Sequence, residues 1–506
     1  MIKNLKTRSK RKNSMNTKEI NRKRLLDKAK EANKKTIGEI DTSHLLDNTK
    51  NKGNIGQVFQ KFLGKDLDND PSYDFPEAGL ELKVTGLIPN KQKTKDSLFR
   101  AKERLVLHEI NYKEDYNESF DESGLIKKCN DMLITCYEYI KATNPGEKPD
   151  IKKFPIIDSF IFTLSPHDKD LLKHDYDIIM EKVKTGHAED ISESDTDYLS
   201  TCTKAKDSSV RTTQPFSNVP VKPRAFSLKS SFLTAIIRQY IDDHTYQSIL
   251  DSIKLIGGDF ENTILTELSH WYGKTEEEIG YELGVQTNAK NRFSMYVSRM
   301  LKISNISNAE EFQKANIVIK TIRVNKHGSI KEKMSFPQMD FKEVAYTPFD
   351  ESDLKAYFSE SRFLFLIFKE TDHGYVFYKA FFYSFTDQVI DNFIAYTYNK
   401  TQKTLLDGDI VKSFAFKDIK GKSTKIHFTN FVGIKKNMIC HIRPHASNFN
   451  DQYPLPVKDK VTGYTSYEKQ CFWIDTRFIK AISEGKAEQY IEEAYKRLKE
   501  YKSNKH

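Results

Sequence analysis

The stretch DFPEAGLELKVTGL, residues 74 to 87, decides how this chain folds. Within it Leu80, Leu82 and Val84 alternate with Glu81, Lys83 and Thr85, the period of a β-strand with one buried face. The polar run KDLDNDPSY before it, residues 65 to 73, reads as turn and loop. In a strand Glu81 and Lys83 are two apart and share a face, and Asp74, at the turn before the strand, reaches the same edge. One edge then carries two carboxylates and an ammonium. Metal-assisted phosphodiester hydrolysis needs that set: carboxylates to hold a divalent cation beside the scissile phosphate, and a cationic group to orient the attacking water and offset developing charge. Mg²⁺ suits such a site because it takes hard oxygen ligands and keeps several waters. By itself, D-x6-E-x-K recurs by chance in a chain with 30% charged residues, where a strand of alternating charge is ordinarily half exposed. The surroundings have to decide.

Upstream, GNIGQVFQKFLG (53 to 64) places Ile55, Val58, Phe59, Phe62 and Leu63 at helical spacing, which predicts an amphipathic helix ending near Gly64. Earlier still, TKEINRKRLLDKAKEANKK (17 to 35) has few helix breakers and predicts a surface helix. Downstream, MLITCYEYI (132 to 140) and IIDSFIFTL (156 to 164) read as buried strands, and LLKHDYDIIMEKV (171 to 183) as a helix. Residues 200 to 223 are polar and rich in Ser, Thr and Pro, a long ordered loop or a hinge, before PRAFSLKSSFLTAIIRQYI returns to regular structure. The texture is mixed α/β.

KGNIGQVFQKFLG, then, ten positions on from Gly64, DFPEAGLELK, closely resembles the MutH-type DNA endonucleases, a branch of the PD-(D/E)xK nucleases. That branch includes the mismatch-repair nicking enzyme MutH and the GATC-specific type II restriction endonucleases. The resemblance continues in YLSTCTKA (198 to 205) and PRAFSLKSSF (223 to 232), in the family's order, and covers roughly residues 50 to 240. It implies that Asp74 and Glu81 are metal ligands for Mg²⁺ and that Lys83 stands at the attacking water. Lys52 and Lys128 match two further lysines near the phosphates. Where MutH has a glutamate on the early helix this chain has Gln60, whose amide orients water or a ligand without adding negative charge. Neighbouring Glu77 is either structural or a supplement to the site. The loop after Tyr198 is the place for reading bases, because loops entering a groove present side chains to base edges. Here Cys202 replaces an arginine of MutH and Ser227 a tyrosine, so Lys204, Ser208, Ser209, Arg211 and Thr212 are candidates by chemistry alone, with phosphate contact the competing role for the lysine and the arginine.

The second half repeats the order of the first. ENTILTELSHWYG (261 to 273) resembles the helix before Gly64, and NIVIKTIRV (316 to 324) resembles the strand that holds Glu81. RFLFLIFKE and YVFYKAFFYSF, joined through TDHG, predict a hairpin. HIRPHASN (441 to 448) and FWIDTRFIKAI (472 to 482) take the places of STCTKAKD and FSLKSSFLTAI. In this copy Val318 stands for Glu81, Lys320 keeps the lysine, and Glu311 falls at the first acid, so the copy is expected to be catalytically dead. HIRPHA nevertheless resembles the base-reading segment of MutH, with Arg443 at its arginine position and His445 close by. Arginine reads guanine bidentately.

The expected architecture is two tandem MutH-like domains, each a mixed sheet flanked by helices: a basic arm over 1–35, a catalytic domain over 36–245, and a degenerate DNA-binding or regulatory domain over 246–506. A length of 506 residues fits more than one core. Residues 1 to 35 hold 14 Lys/Arg against 3 Asp/Glu, a local +11 that leaves the remaining residues near −1, on a segment that either neutralises phosphates or is a solvated tail. The five cysteines form neither a CxxC pair nor a Cys/His cluster, so free thiols are expected. No apolar run approaches the roughly 20 residues that span a bilayer, and the expected location is the cytoplasm. The expected activity is Mg²⁺-dependent cleavage of double-stranded DNA at GATC, 5′ to the G, with a second DNA site on the C-terminal lobe. A cognate methyltransferase would protect host DNA without binding the chain, which is expected as a monomer, with pairing on DNA left open. A mismatch-repair nickase, normally a single lobe of about half this length, and a non-catalytic DNA-binding regulator are the alternatives.

Overall fold

A computed structural model describes residues 17–503 apart from 50, 52, 68–72, 95–96, 143–146, 193–194, 205–208, 287, 290, 331–333 and 420–421. Lys52 and Ser208 lie outside the described residues. The chain divides into two compact units, one running to Thr266 and including Val297–Ile317, the other made of Glu267–Tyr296 and the chain from Val318 onward. Both are mixed α/β. No helix among the described residues is long and apolar enough to cross a membrane.

The first unit begins with α1 (17–30), α2 (Ile37–Ile40) and α3 (Asn54–Phe62). The strand predicted around Glu81 is β1 (Glu81–Thr94), which is followed by β2 (Ser97–Ala101), β3 (Leu105–Glu109), α4 (Gly124–Cys129), β4 (Asp131–Glu138) and β5 (Ile156–Thr163). Then come α5 (Pro166–Lys184), β6 (Leu199–Thr203), β7 (Arg224–Leu228) and α6 (Ser230–Tyr240). The central sheet has the order β2-β1-β4-β5, with β1 parallel to β4 and the other pairs antiparallel. Asp131 through Cys136 are all buried, as befits a strand covered on both faces. A separate antiparallel sheet runs β3-β7-β6. Helix α3 stops at Phe62, and Gly64 takes the positive φ of +87° that ends it.

Two expectations about helices change. Helix α1 was expected on the surface, but Leu25 and Ala29, together with Ala32 just beyond the helix, are buried in one cluster with Val58, Phe59, Phe75 and Leu80. These three lie four and three residues apart, the stripe of an amphipathic helix, and the lysines and arginines between them mask it. Helix α5 begins five residues before the predicted start, because Ser165 and Asp168 form a reciprocal capping box with Pro166 in the first turn.

The second unit contains β8 (Ile317–Val324), β9 (Met334–Gln338), β10 (Arg362–Thr371) and β11 (Gly374–Tyr383), the last two forming the predicted hairpin about Asp372 and His373. Next are β12 (Val411–Ile419), β13 (Lys422–Thr429), β14 (Cys440–Pro444), β15 (Gln452–Pro454), β16 (Ser466–Glu468) and β17 (Gln470–Ile474). An antiparallel sheet of order β14-β17-β9 matches the order β6-β7-β3 of the first unit. In each, the middle strand runs directly into a helix, α6 after β7 and Thr476–Ser483 after β17. The core of this unit is aromatic, with Phe336, Phe358, Phe363 and Phe385 in mutual contact and Phe478 packed against Phe385.

Candidate active site

Asp74 meets the strand because the chain between them folds back. Phe75 and Leu80 exchange backbone hydrogen bonds of 3.0 and 3.2 Å, and Gly79 closes the loop with a positive φ of +57°. The Asp74 Oδ2 then accepts a 3.0 Å hydrogen bond from the amide of Leu82, the residue between Glu81 and Lys83. Its Oδ1 accepts from Gln60 Nε2 on α3 at 2.8 Å and from Lys65 Nζ at 3.2 Å. Glu81 is 5% exposed; Lys83 Nζ lies 3.2 Å from its Oε1 and Lys128 Nζ 2.9 Å from its Oε2. Lys128 arrives there because α4, capped by Ser123, ends just before β4, whose Met132 lies opposite Glu81 in the parallel register.

The structure therefore gathers Asp74, Glu81, Lys83, Gln60 and Lys128, and adds Lys65, which no spacing rule marks. Two carboxylates face three ammonium groups, all with side chains at most 18% exposed. The donor set fits a divalent, oxygen-seeking cation: two hard carboxylates at one strand edge, balanced by flexible lysine tips that can withdraw. Glu77 is exposed and its carbonyl accepts from Asn21 on α1. Tyr73, one residue before Asp74, is half-buried, and burial, reinforced by Asp131, raises its phenol above the ordinary value.

Helix α1 forms a wall of the site. Arg22 donates to the carbonyls of Ala78 and Gly79 and pairs with Asp131 at 2.5 Å, tying the helix to the loop that carries Asp74. A cleft of about 870 Å³ opens between the helix residues Lys23, Arg24 and Lys28 and the pair Lys65 and Asp74.

The candidates for base reading lie on the excursion between β6 and β7. Lys204, Ser209 and Arg211 are exposed, and Thr212 bridges to Val221 by backbone hydrogen bonds of 2.7 and 2.9 Å. Behind this loop, the buried carboxylate of Asp175 on α5 accepts hydrogen bonds from the amides of Asp197, Tyr198 and Leu199, fixing the entry to β6.

In the second unit, Arg443 on β14 lies over the Trp473 ring, 5.8 Å from its centre, and His445 packs edge-on against the same ring at 5.7 Å. Val318 packs against the apolar core, and Lys320 lies 4.9 Å from the centre of the Phe336 ring, where burial lowers its pKa. Glu311 is not the acid of a second site. It lies within the first compact unit on the short helix Glu310–Lys314, and its oxygens accept from Ser248 Oγ and the amides of Ile249 and Leu250.

A carboxylate pair and lysines brought to the edge of a mixed sheet are the features expected of an endonuclease of MutH type. A family model described as DNA mismatch repair enzyme MutH matches residues 63–175, which include Asp74, Glu81, Lys83 and Lys128. The type II restriction enzyme Sau3AI of Staphylococcus aureus is 30% identical over 486 residues, covering 90% of this chain and 96% of its own. The chain belongs to the MutH-like type II restriction endonucleases and is a site-specific deoxyribonuclease.

Proposed function

We propose that this chain uses Mg²⁺ to cut both strands of duplex DNA at GATC, 5′ to the G, and that its second unit binds another copy of the site and promotes cleavage. The observation that carries the catalytic reading is the hydrogen bond from the Leu82 amide to Asp74, which holds the aspartate against the segment bearing Glu81 and Lys83. Asp74 and Glu81 would hold the metal, which when bound supplies Lewis-acid polarisation of the phosphate and a more acidic water. Lys83 orients the attacking water and offsets charge at the phosphate. Gln60 aims the Asp74 carboxylate, and Lys128 steadies Glu81 and the neighbouring phosphate. Lys52 joins the phosphate contacts by position in the motif. Lys204, Ser209, Arg211 and Thr212, on the β6–β7 excursion, would contact the DNA by base or phosphate, and Ser208 joins them by its place in the sequence alone.

The effector reading of the second unit rests on Arg443, preorganised over Trp473 and able to grip guanine by two hydrogen bonds, a contact worth ~1–3 kcal/mol of discrimination. It rests equally on the loss of the acids. Valine replaces Glu81, and Glu311 spends its carboxylate on the chain around Ser248.

Incubation of the purified protein with plasmid and Mg²⁺ tests the whole reading. Defined fragments ending at GATC are expected, and none from Glu81→Ala. Fragments at another sequence would refute the target, nicked circles without double-strand breaks would return the protein to a repair role, and normal cutting by Glu81→Ala would refute the site.

A further inference from the structure

The hairpin β12–β13 of the second unit carries an unusual surface. Phe414 and Phe416 share one face, 48% and 65% exposed, with their rings edge-to-face at 6.2 Å, while Phe428, opposite Ser413, is 47% exposed on the other face. Exposed aromatics side by side on a two-stranded ribbon mark an interaction surface. The same 19 residues, 411 to 429, contain five lysines against one aspartate, Asp418. Protein–protein interfaces are depleted in lysine, whereas a polyanion with stacked apolar edges rewards lysine and phenylalanine together. Duplex DNA is such a polyanion, and a two-stranded ribbon fits its major groove.

The base of the ribbon is stitched to the segment that carries Arg443. Three residues beyond β13, the carbonyl of Val432 accepts a 2.8 Å hydrogen bond from the amide of Ile442, next to Arg443. On β13 itself, His427 packs against Phe449, Tyr464 and Tyr467, in the segment that follows Arg443 and His445. The ribbon is therefore fixed beside the expected base-reading strand rather than at a remote edge of the unit.

We infer that the β12–β13 ribbon is a second DNA-contacting element of this unit, with Phe414 and Phe416 laid against base and sugar edges flanking the sequence read by Arg443, and Lys412 on the backbone. The inference rests on the proposed effector role of the second unit. The test measures how much GATC oligoduplex, added in trans, half-activates cleavage of a one-site plasmid by the full chain, with 2-aminopurine in the oligoduplex as a direct reporter of base contact. The double variant Phe414→Ala/Phe416→Ala should raise the half-activating concentration about tenfold and dim the 2-aminopurine response. Phe414→Tyr/Phe416→Tyr should restore both and Phe414→Leu/Phe416→Leu neither. Lys412→Ala should reduce the salt dependence of activation by about one counterion. No activation of the wild type by any oligoduplex would remove the effector reading and this inference with it. Activation that Arg443→Ala weakens but the double alanine variant leaves unchanged would overturn the ribbon alone. A wild-type dimer in sedimentation without DNA, lost in the alanine variant, would also overturn it by giving the aromatic face to a second copy of the chain.

Discussion

At Asp74 one carboxylate answers to three partners: the Leu82 amide on one oxygen, and Gln60 and Lys65 on the other. Replacing the amide donor with an acceptor should reveal whether residue 60 lies close to the cation proposed for this site. In Gln60→Glu, two carboxylates would repel one another without metal and share it when it is present. The variant should melt at a lower temperature than the wild type in EDTA and bind Mg²⁺ or Mn²⁺ more tightly by calorimetry. An unchanged metal titration would place residue 60 outside the coordination sphere. If Lys83 acts as proposed, where charge develops, Lys83→Ala should cut the cleavage rate by a factor of about 100 or more while binding of a GATC duplex survives. Asp74, Glu81 and Lys83 are legible in the sequence because the MutH resemblance marks them and the strand period puts Glu81 and Lys83 on one face. Lys65 is not. Its approach to Asp74 depends on the chain past Gly64 and on the Phe75–Leu80 fold-back, contacts that no spacing rule encodes.

Elements explain what holds the site in place. Helix α1 reads as a charged tail when its lysines are counted and as a core helix when Leu25, Ala29 and Ala32 are followed along it. Charge is conspicuous in a sequence, while a narrow apolar stripe between charges becomes visible only once the partner surface is known. Leu25→Ala should therefore destabilise the protein by about 2–4 kcal/mol in urea unfolding, whereas Arg24→Ala, on the exposed side, should fall within about 0.5 kcal/mol of wild type. Helix α5 supplies a second test through Asp175. Burial, then the neighbouring Asp197, pushes its carboxyl up to about 7, outweighing the three amides that favour the charged form. An acid raised in the folded state binds a proton that the unfolded chain, near pKa 3.9, has already released. Its contribution is thus present at low pH and lost as pH rises from about 4 towards 7, where it levels off. Asp175→Asn should lack that fall, seen as a shallower decline of the melting temperature over this interval. Parallel curves for the two proteins would show that Asp175 is already ionised in the fold.

For the whole molecule, the repeated order β6-β7-β3 and β14-β17-β9 shows what selection of residues can do with one arrangement of strands. The first unit keeps the acids beside Lys83; the second has Val318 in the strand place and keeps an arginine over Trp473. The order of the segments made this repeat legible despite their low identity, since strands and helices follow from periodicity. The place of Glu311 was not, because a buried glutamate that binds backbone amides and one in a metal site have the same residue letter and similar neighbours. If the second unit reads GATC to promote cutting by the first, the rate of cutting must depend on how many sites a DNA molecule offers. A plasmid with two GATC sites presents the second at high local concentration, so it should be cut faster than a one-site plasmid at equal site concentration. Arg443→Ala should remove most of this advantage by weakening the second contact, with little change in the metal dependence of the residual cleavage. Equal rates on the two plasmids for the wild type, or an advantage that Arg443→Ala retains in full, would mean that the second copy has lost DNA reading along with its acids and serves the enzyme only as folded mass.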